Sequence, residues 1–140
     1  MKVIVMNRTR ASQYSLAPHS ETSVIISITD PQGPPNFFCR DPANGIKDIL
    51  RVSFEDTDKT ETSISKAQAR EIAIFVQQHM TIDKIIVHCE AGQSRSAGVA
   101  AAILKYIFND DSSIFECPKY TPNMFVYRKV IESLYEMESQ

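Results

Sequence analysis

The sequence predicts an α/β fold: a central, mostly parallel sheet flanked by helices. Three observations predict it. Short apolar, β-branched runs alternate along the chain with segments of helical period. Such alternation favours parallel strands joined by helical crossovers, with the sheet covered on both faces. One apolar run, Ile85-Ile86-Val87, leads through a glycine-containing loop directly into a small-residue helical stretch. That strand–loop–helix step is an anion cradle, with free amides and the positive end of a helix dipole.

The elements follow in order. Val3-Ile4-Val5, within the strand-like segment Lys2 to Met6, reads as a short buried strand, and Arg8 to Tyr14 as a short helix. Val24 to Ile28 is a second strand, ended by Asp30-Pro31. Gln32 to Pro35 is a loop, and Phe37-Phe38 beside it suits either a pocket rim or the core. Ile49 to Phe54 is a third strand, followed by a polar loop from Glu55 to Glu61. Ser65 with Gln68 three positions later has the pattern of a capping box. Ala69, Ile72, Ala73, Val76 and Met80 continue that helix at helical spacing. Lys84 to Val87 is the fourth strand, and a helix runs from Ser94 or Arg95 to about Phe108. Asn109 to Lys119 is expected as loop. Thr121-Pro122 reads as N-cap and first turn of a final helix, with Tyr127, Val130, Ile131 and Leu134 as its apolar stripe.

With 140 residues, of which 43% are hydrophobic, one domain over residues 1–140 with one core is expected. The net charge of −2 without charge runs offers no nucleic-acid footprint. No apolar stretch would span a bilayer, and none at the N-terminus has the length of a signal-peptide core. Three cysteines without Cys-x-x-Cys spacing suit a reducing, cytoplasmic setting.

The chemistry concentrates in His88-Cys89-Glu90-Ala91-Gly92-Gln93-Ser94-Arg95-Ser96. A Cys with Arg six positions later is common by chance. Requiring the His, Gly and Ser as well brings the chance in a shuffled chain to the order of 10⁻⁵, so the cluster is read as a site. Cys89 is the candidate nucleophile, because loop amides, a helix N-terminus and Arg95 all favour a thiolate. A lone cysteine is otherwise most often a small core residue. Arg95 supplies the fork that grips two phosphoryl oxygens. Residues Glu90, Ala91, Gly92, Gln93, Ser94 and Arg95 form the cradle. Gly92 turns the backbone toward the anion, and Glu90 should point its side chain away. Ser96 either donates to the Cys89 sulfur as it leaves or is an ordinary first-turn serine. His88 reads as a support hydrogen-bonded to backbone; His19 and His79 read as surface residues. A phosphoester's leaving oxygen needs a proton, and Asp56 and Asp58 in the loop after the third strand are the candidate acids. Asp56 comes more directly off its strand.

The whole 88–96 segment matches His-Cys-x-x-Gly-x-x-Arg-Ser, and it resembles the cysteine-dependent protein tyrosine and dual-specificity phosphatase superfamily. Val52-Ser53-Phe54-Glu55-Asp56 resembles the strand and loop that carry that family's general acid. Thr121-Pro122-Asn123 resembles the Ser-Pro-Asn opening the last helix of dual-specificity phosphatases, where Asn123 would brace the phosphate loop. The resemblance covers roughly residues 24–137 in a compact form like small bacterial and phage-type members. It implies hydrolysis through a phosphocysteine: Cys89 takes the phosphoryl group while Asp56 protonates the leaving alcohol, then activates water. It implies no metal and no cofactor, a phosphorylated protein or peptide as partner, and a shallow pocket open to phosphotyrosine and also to phosphoserine or phosphothreonine. A phosphate- or phosphopeptide-binding module with weak catalysis is the alternative. A redox enzyme using Cys89 with Cys39 or Cys117 has no support in cysteine spacing. Oligomeric state is not encoded in any of these features.

Overall fold

The computed structural model describes residues 1–138. Ser139 and Gln140, the last residues of the expected 1–140 domain, lie outside the described residues. Four strands form one sheet: β1 (Lys2–Met6), β2 (Ser23–Thr29), β3 (Ile46–Ser53) and β4 (Lys84–His88). Their order is β1-β4-β2-β3, and every pairing is parallel. The helices are α1 (Arg8–Ser15), α2 (Lys66–Gln78), α3 (Arg95–Phe108), a single turn α4 (Ser112–Phe115) and α5 (Met124–Glu138). The sheet places β1 at an edge and β4, the strand leading into the cradle, between β1 and β2. The third strand starts three residues earlier than its apolar run, because Ile46 joins the core on one side of the sheet.

Period-2 alternation sorts the buried strands onto two faces. Val24, Ile26, Ile28, Ile85 and Val87 pack against α2, α3 and α5. Ile25 and Ile86 face the other way, against Ala11 of α1, Phe38 and Ile46. Both faces are therefore apolar, which is why these strands read as continuous rather than alternating runs. Each fully buried isoleucine contributes about 1.5–3 kcal/mol. Gly98 lets α3 approach the start of α5: a Cβ there would lie 2.7 Å from the Asn123 carbonyl oxygen.

The capping box at α2 is present, with Ser65 accepting from the Gln68 amide and Gln68 accepting from the Ser65 amide. That helix stops at Gln78, leaving Met80 exposed beyond it. Two boundaries differ from expectation. The segment expected as loop, 109–119, contains α4. The last helix begins at Met124, and its cap is Asn123 rather than Thr121: the Asn123 side chain accepts from the Val126 amide at 3.1 Å. The backbone amides of Thr121 and Asn123 are instead spent on the 88–96 loop. His19 and His79 are not free surface residues. His19 stacks on Tyr14 and bonds its carbonyl, while His79 bonds the Phe75 carbonyl.

Candidate functional site

Because all four strands are parallel, their C-terminal ends share one rim, the usual binding edge of an open α/β sheet. Residues just beyond each strand meet there: Asn7 and Arg8 after β1, Asp30 after β2, Phe54 to Asp56 after β3, and Cys89 after β4.

The 88–96 loop is held from outside through its carbonyls. Glu90 O accepts from Arg8 N, Gln93 O from Thr121 N, and Ser94 O from Asn123 N, at 3.2, 2.9 and 3.1 Å. Among the described residues, no amide of residues 90–94 donates to a protein acceptor. Ser94 occupies the N-cap position of α3 but makes no side-chain cap bond. Its hydroxyl donates instead to Asp56 Oδ1 at 2.8 Å. A loop with three of its carbonyls claimed from outside and its amides and helix N-terminus unclaimed is set up for an anion. Gly92 is required at its position. Its φ is +66°, and a Cβ would lie 2.7 Å from the Asn7 nitrogen and 2.8 Å from the Met6 carbonyl carbon.

Cys89 continues the β4 alternation onto the α3 side of the sheet and is 2% exposed. Its sulfur lies 3.1 Å from the Ser96 hydroxyl. Arg95 is 5% exposed. Its Nη1 donates to Asp30 Oδ1 and to the Phe54 carbonyl, both at 2.8 Å. Those two bonds use both Nη1 hydrogens. Nε is buried and unpartnered, and Nη2 has no partner among the described residues. Nε and Nη2 form the side edge of the guanidinium, the edge that binds two oxygens of one oxyanion in parallel. The fork is thus oriented and left open.

Asp56 accepts from Ser94 and, at 2.9 Å, from Asn123 Nδ2. Both donors use Oδ1; Oδ2 has no hydrogen-bond partner among the described residues. Asp58 lies exposed and makes no comparable tie to the loop. Asn123 links three parts of the site: its side chain holds Asp56, caps α5 and reaches the Thr57 carbonyl, and its amide holds Ser94. Glu90 points outward, in an ion pair with Arg8 at 3.1 Å. Along the loop Ala91 and Gln93 are exposed, Gly92 is buried and Ser94 is half-buried.

His88 faces away from Cys89, on the α1 side of the sheet. Nδ1 donates to the Cys89 carbonyl at 3.2 Å, since a carbonyl only accepts. Nε2 therefore accepts, from the Ser27 hydroxyl at 2.6 Å and from Asn36 Nδ2 at 3.5 Å. Burial pushes its pKa down to about 4, so the ring is neutral near pH 7. Phe38 packs edge-on against it in the core, while Phe37 is exposed.

The structure brings together Cys89, Arg95, Ser96, Asp56, Asn123 and the 90–94 amides. Sequence reasoning missed Asp30, Ser27 and Asn36. Asp30 had a signal: it follows a strand as Cys89 and Asp56 do, and a parallel sheet puts all three on one rim. Among the described residues, no three His, Cys, Asp or Glu side chains converge as a metal ion would require.

The fold is that of solved dual-specificity phosphatases. Human DUSP28 is 16% identical with a TM-score of 0.67, the alignment covering 99% of this chain and 94% of that one. A mouse putative dual specificity phosphatase, complexed with zinc tungstate, is 17% identical with a TM-score of 0.68, covering 99% and 85%. PTPMT1 is 19% identical with a TM-score of 0.59, covering 99% and 92%. Together they define the class, a parallel α/β fold of the dual-specificity-phosphatase type. Residues 48–135 match the model of the Rit1 DUSP-like domain, and the chain belongs to that family. No curated protein matches the sequence.

Proposed function

We propose that the chain is a phosphomonoester hydrolase, a protein tyrosine phosphatase with dual specificity, acting through a phosphocysteine. The observation that carries this reading is the open edge of Arg95 beside the unclaimed 90–94 amides, with the Cys89 thiol at the start of the same loop. In the first step the Cys89 thiolate attacks phosphorus, and the bond from phosphorus to the leaving oxygen breaks. Asp56 gives that oxygen its proton. Arg95 and the loop amides hold the three equatorial oxygens, where charge gathers in the transition state. In the second step Asp56 takes a proton from water, the oxygen attacks phosphorus, and the sulfur–phosphorus bond breaks. Ser96, 3.1 Å from the sulfur, donates to the departing thiolate. Inorganic phosphate is the product. The scheme uses only this chain's groups and a phosphorylated protein or peptide, and a reducing compartment such as the cytoplasm keeps its nucleophile a thiol.

The test is hydrolysis of para-nitrophenyl phosphate with EDTA present, with Cys89→Ser as control. Turnover in the parent alone supports the reading; turnover in the variant within tenfold of the parent would contradict the mechanism. The second reading is a phosphate- or phosphopeptide-binding module with weak catalysis. It predicts phosphopeptide binding without turnover.

A further inference from the structure

A cavity of about 520 Å³ opens beside the phosphate loop and shares Ser94 and Asn123 with it. Its other walls include Asp58 from the acid loop and Met124, Phe125 and Arg128 from the first turns of α5. Arg128 is exposed and has no hydrogen-bond or ion-pair partner among the described residues. Lys129 lies over the Phe125 ring, 5.5 Å from its centroid. The wall therefore carries one carboxylate, Asp58, and one cation without a partner, Arg128, together with apolar surface from Met124 and Phe125.

Building on the phosphatase reading, we propose that this cavity is a specificity subsite. It takes the substrate residue next to the phosphorylated side chain, and Arg128 selects an acidic group there. An extended peptide advances about 3.3 Å per residue. The cavity shares Ser94 with the phosphate loop, so a residue flanking a phosphorylated side chain seated on residues 90–95 meets its wall. The apolar surface receives the stem of a glutamate-like side chain, and the guanidinium receives its carboxylate or a second phosphate. Arg128 touches neither Cys89 nor Arg95, so it acts on the choice of substrate and not on the bond-breaking step.

The experiment compares three phosphotyrosine peptides that differ only in Glu, Gln or Lys at the positions flanking the phosphotyrosine. kcat/KM for each is divided by the same protein's value on para-nitrophenyl phosphate, which reaches no subsite. The parent should rank Glu above Gln above Lys, with roughly three- to fivefold between the first two, as expected of a solvent-exposed charge pair. Arg128→Ala should level the series and Arg128→Glu should invert it. An unchanged ranking in all three proteins would overturn the subsite while leaving the phosphatase reading intact. Absence of para-nitrophenyl phosphate turnover in the parent would instead defeat the phosphatase reading. The same peptides are then titrated against Cys89→Ser with and without Arg128→Ala. Loss of the Glu preference in affinity supports the subsite, and no binding or no preference overturns it.

Discussion

The loop after β4 and the loop after β3 meet at one rim but are built differently. The phosphate loop starts at a buried cysteine and ends in a buried arginine, with its carbonyls bound from both flanking segments and a glycine pressed against the β1–α1 junction. The acid loop is exposed from Glu55 through Thr62 apart from the half-buried Thr57, and Asp56 is tied to the site through bonds to a single oxygen. The difference teaches a division of labour. The proposed oxyanion site is preorganised by a loop anchored through backbone bonds between two buried ends, Cys89 and Arg95. The proposed proton donor, Asp56, is held by two solvent-exposed side-chain bonds, each worth about 0.5–1.5 kcal/mol. A loop so held can open and close around substrate.

That contrast can be broken most severely at its rigid half. Gly92→Val should abolish turnover and lower the melting temperature by several degrees, because it combines a left-handed φ with backbone contacts under 3 Å. Thermal denaturation and a para-nitrophenyl phosphate assay check both. The exposed half is tested by Asp56→Asn, which should cost about 10²–10⁴ in kcat on phosphotyrosine peptides with little change in melting temperature. Asp58→Asn should cost less than about threefold, and the reverse order would reassign the acid.

Asp30→Asn sharpens the comparison by loosening the guanidinium without removing it. A roughly tenfold fall in kcat/KM is expected, carried by KM and by weaker vanadate inhibition, since the Phe54 carbonyl still holds Nη1. A separate effect is thermodynamic and leaves the chemistry untouched. His88 is depressed to about 4 in the folded chain, against about 6.5 unfolded, so the unfolded state binds the extra proton between those values. Stability is full above pH 6.5 and falls as the pH drops toward 4, by about 3 kcal/mol in all from this group. Urea midpoints at pH 7.5 and 4.5 should converge in His88→Asn relative to the parent.

Much of the site was legible along the chain because its parts are contiguous. Cys89 through Ser96 forms one loop, so spacing alone carries the chemistry, and the apolar runs and capping box place it between strand and helix. Asn123 was legible as a brace through the Thr121-Pro122-Asn123 resemblance. Its second role as the cap of α5 was not, because the cap depends on where the backbone turns after its amide bonds Ser94.

Local pattern was enough for the α/β class, the order of the strands and of every helix but the single turn α4, and the Cys89–Arg95 loop, since hydrophobic period and short-range geometry are properties of neighbouring residues. Asp30 beside Arg95, Ser27 and Asn36 around His88, and Asp56 rather than Asp58 against Ser94 were decided only in the folded molecule. These pairs span 38 to 65 residues along the chain. The order β1-β4-β2-β3 brings them within bonding distance. Strand order is fixed by how the whole sheet buries its two apolar faces, and no stretch of neighbouring residues contains that information.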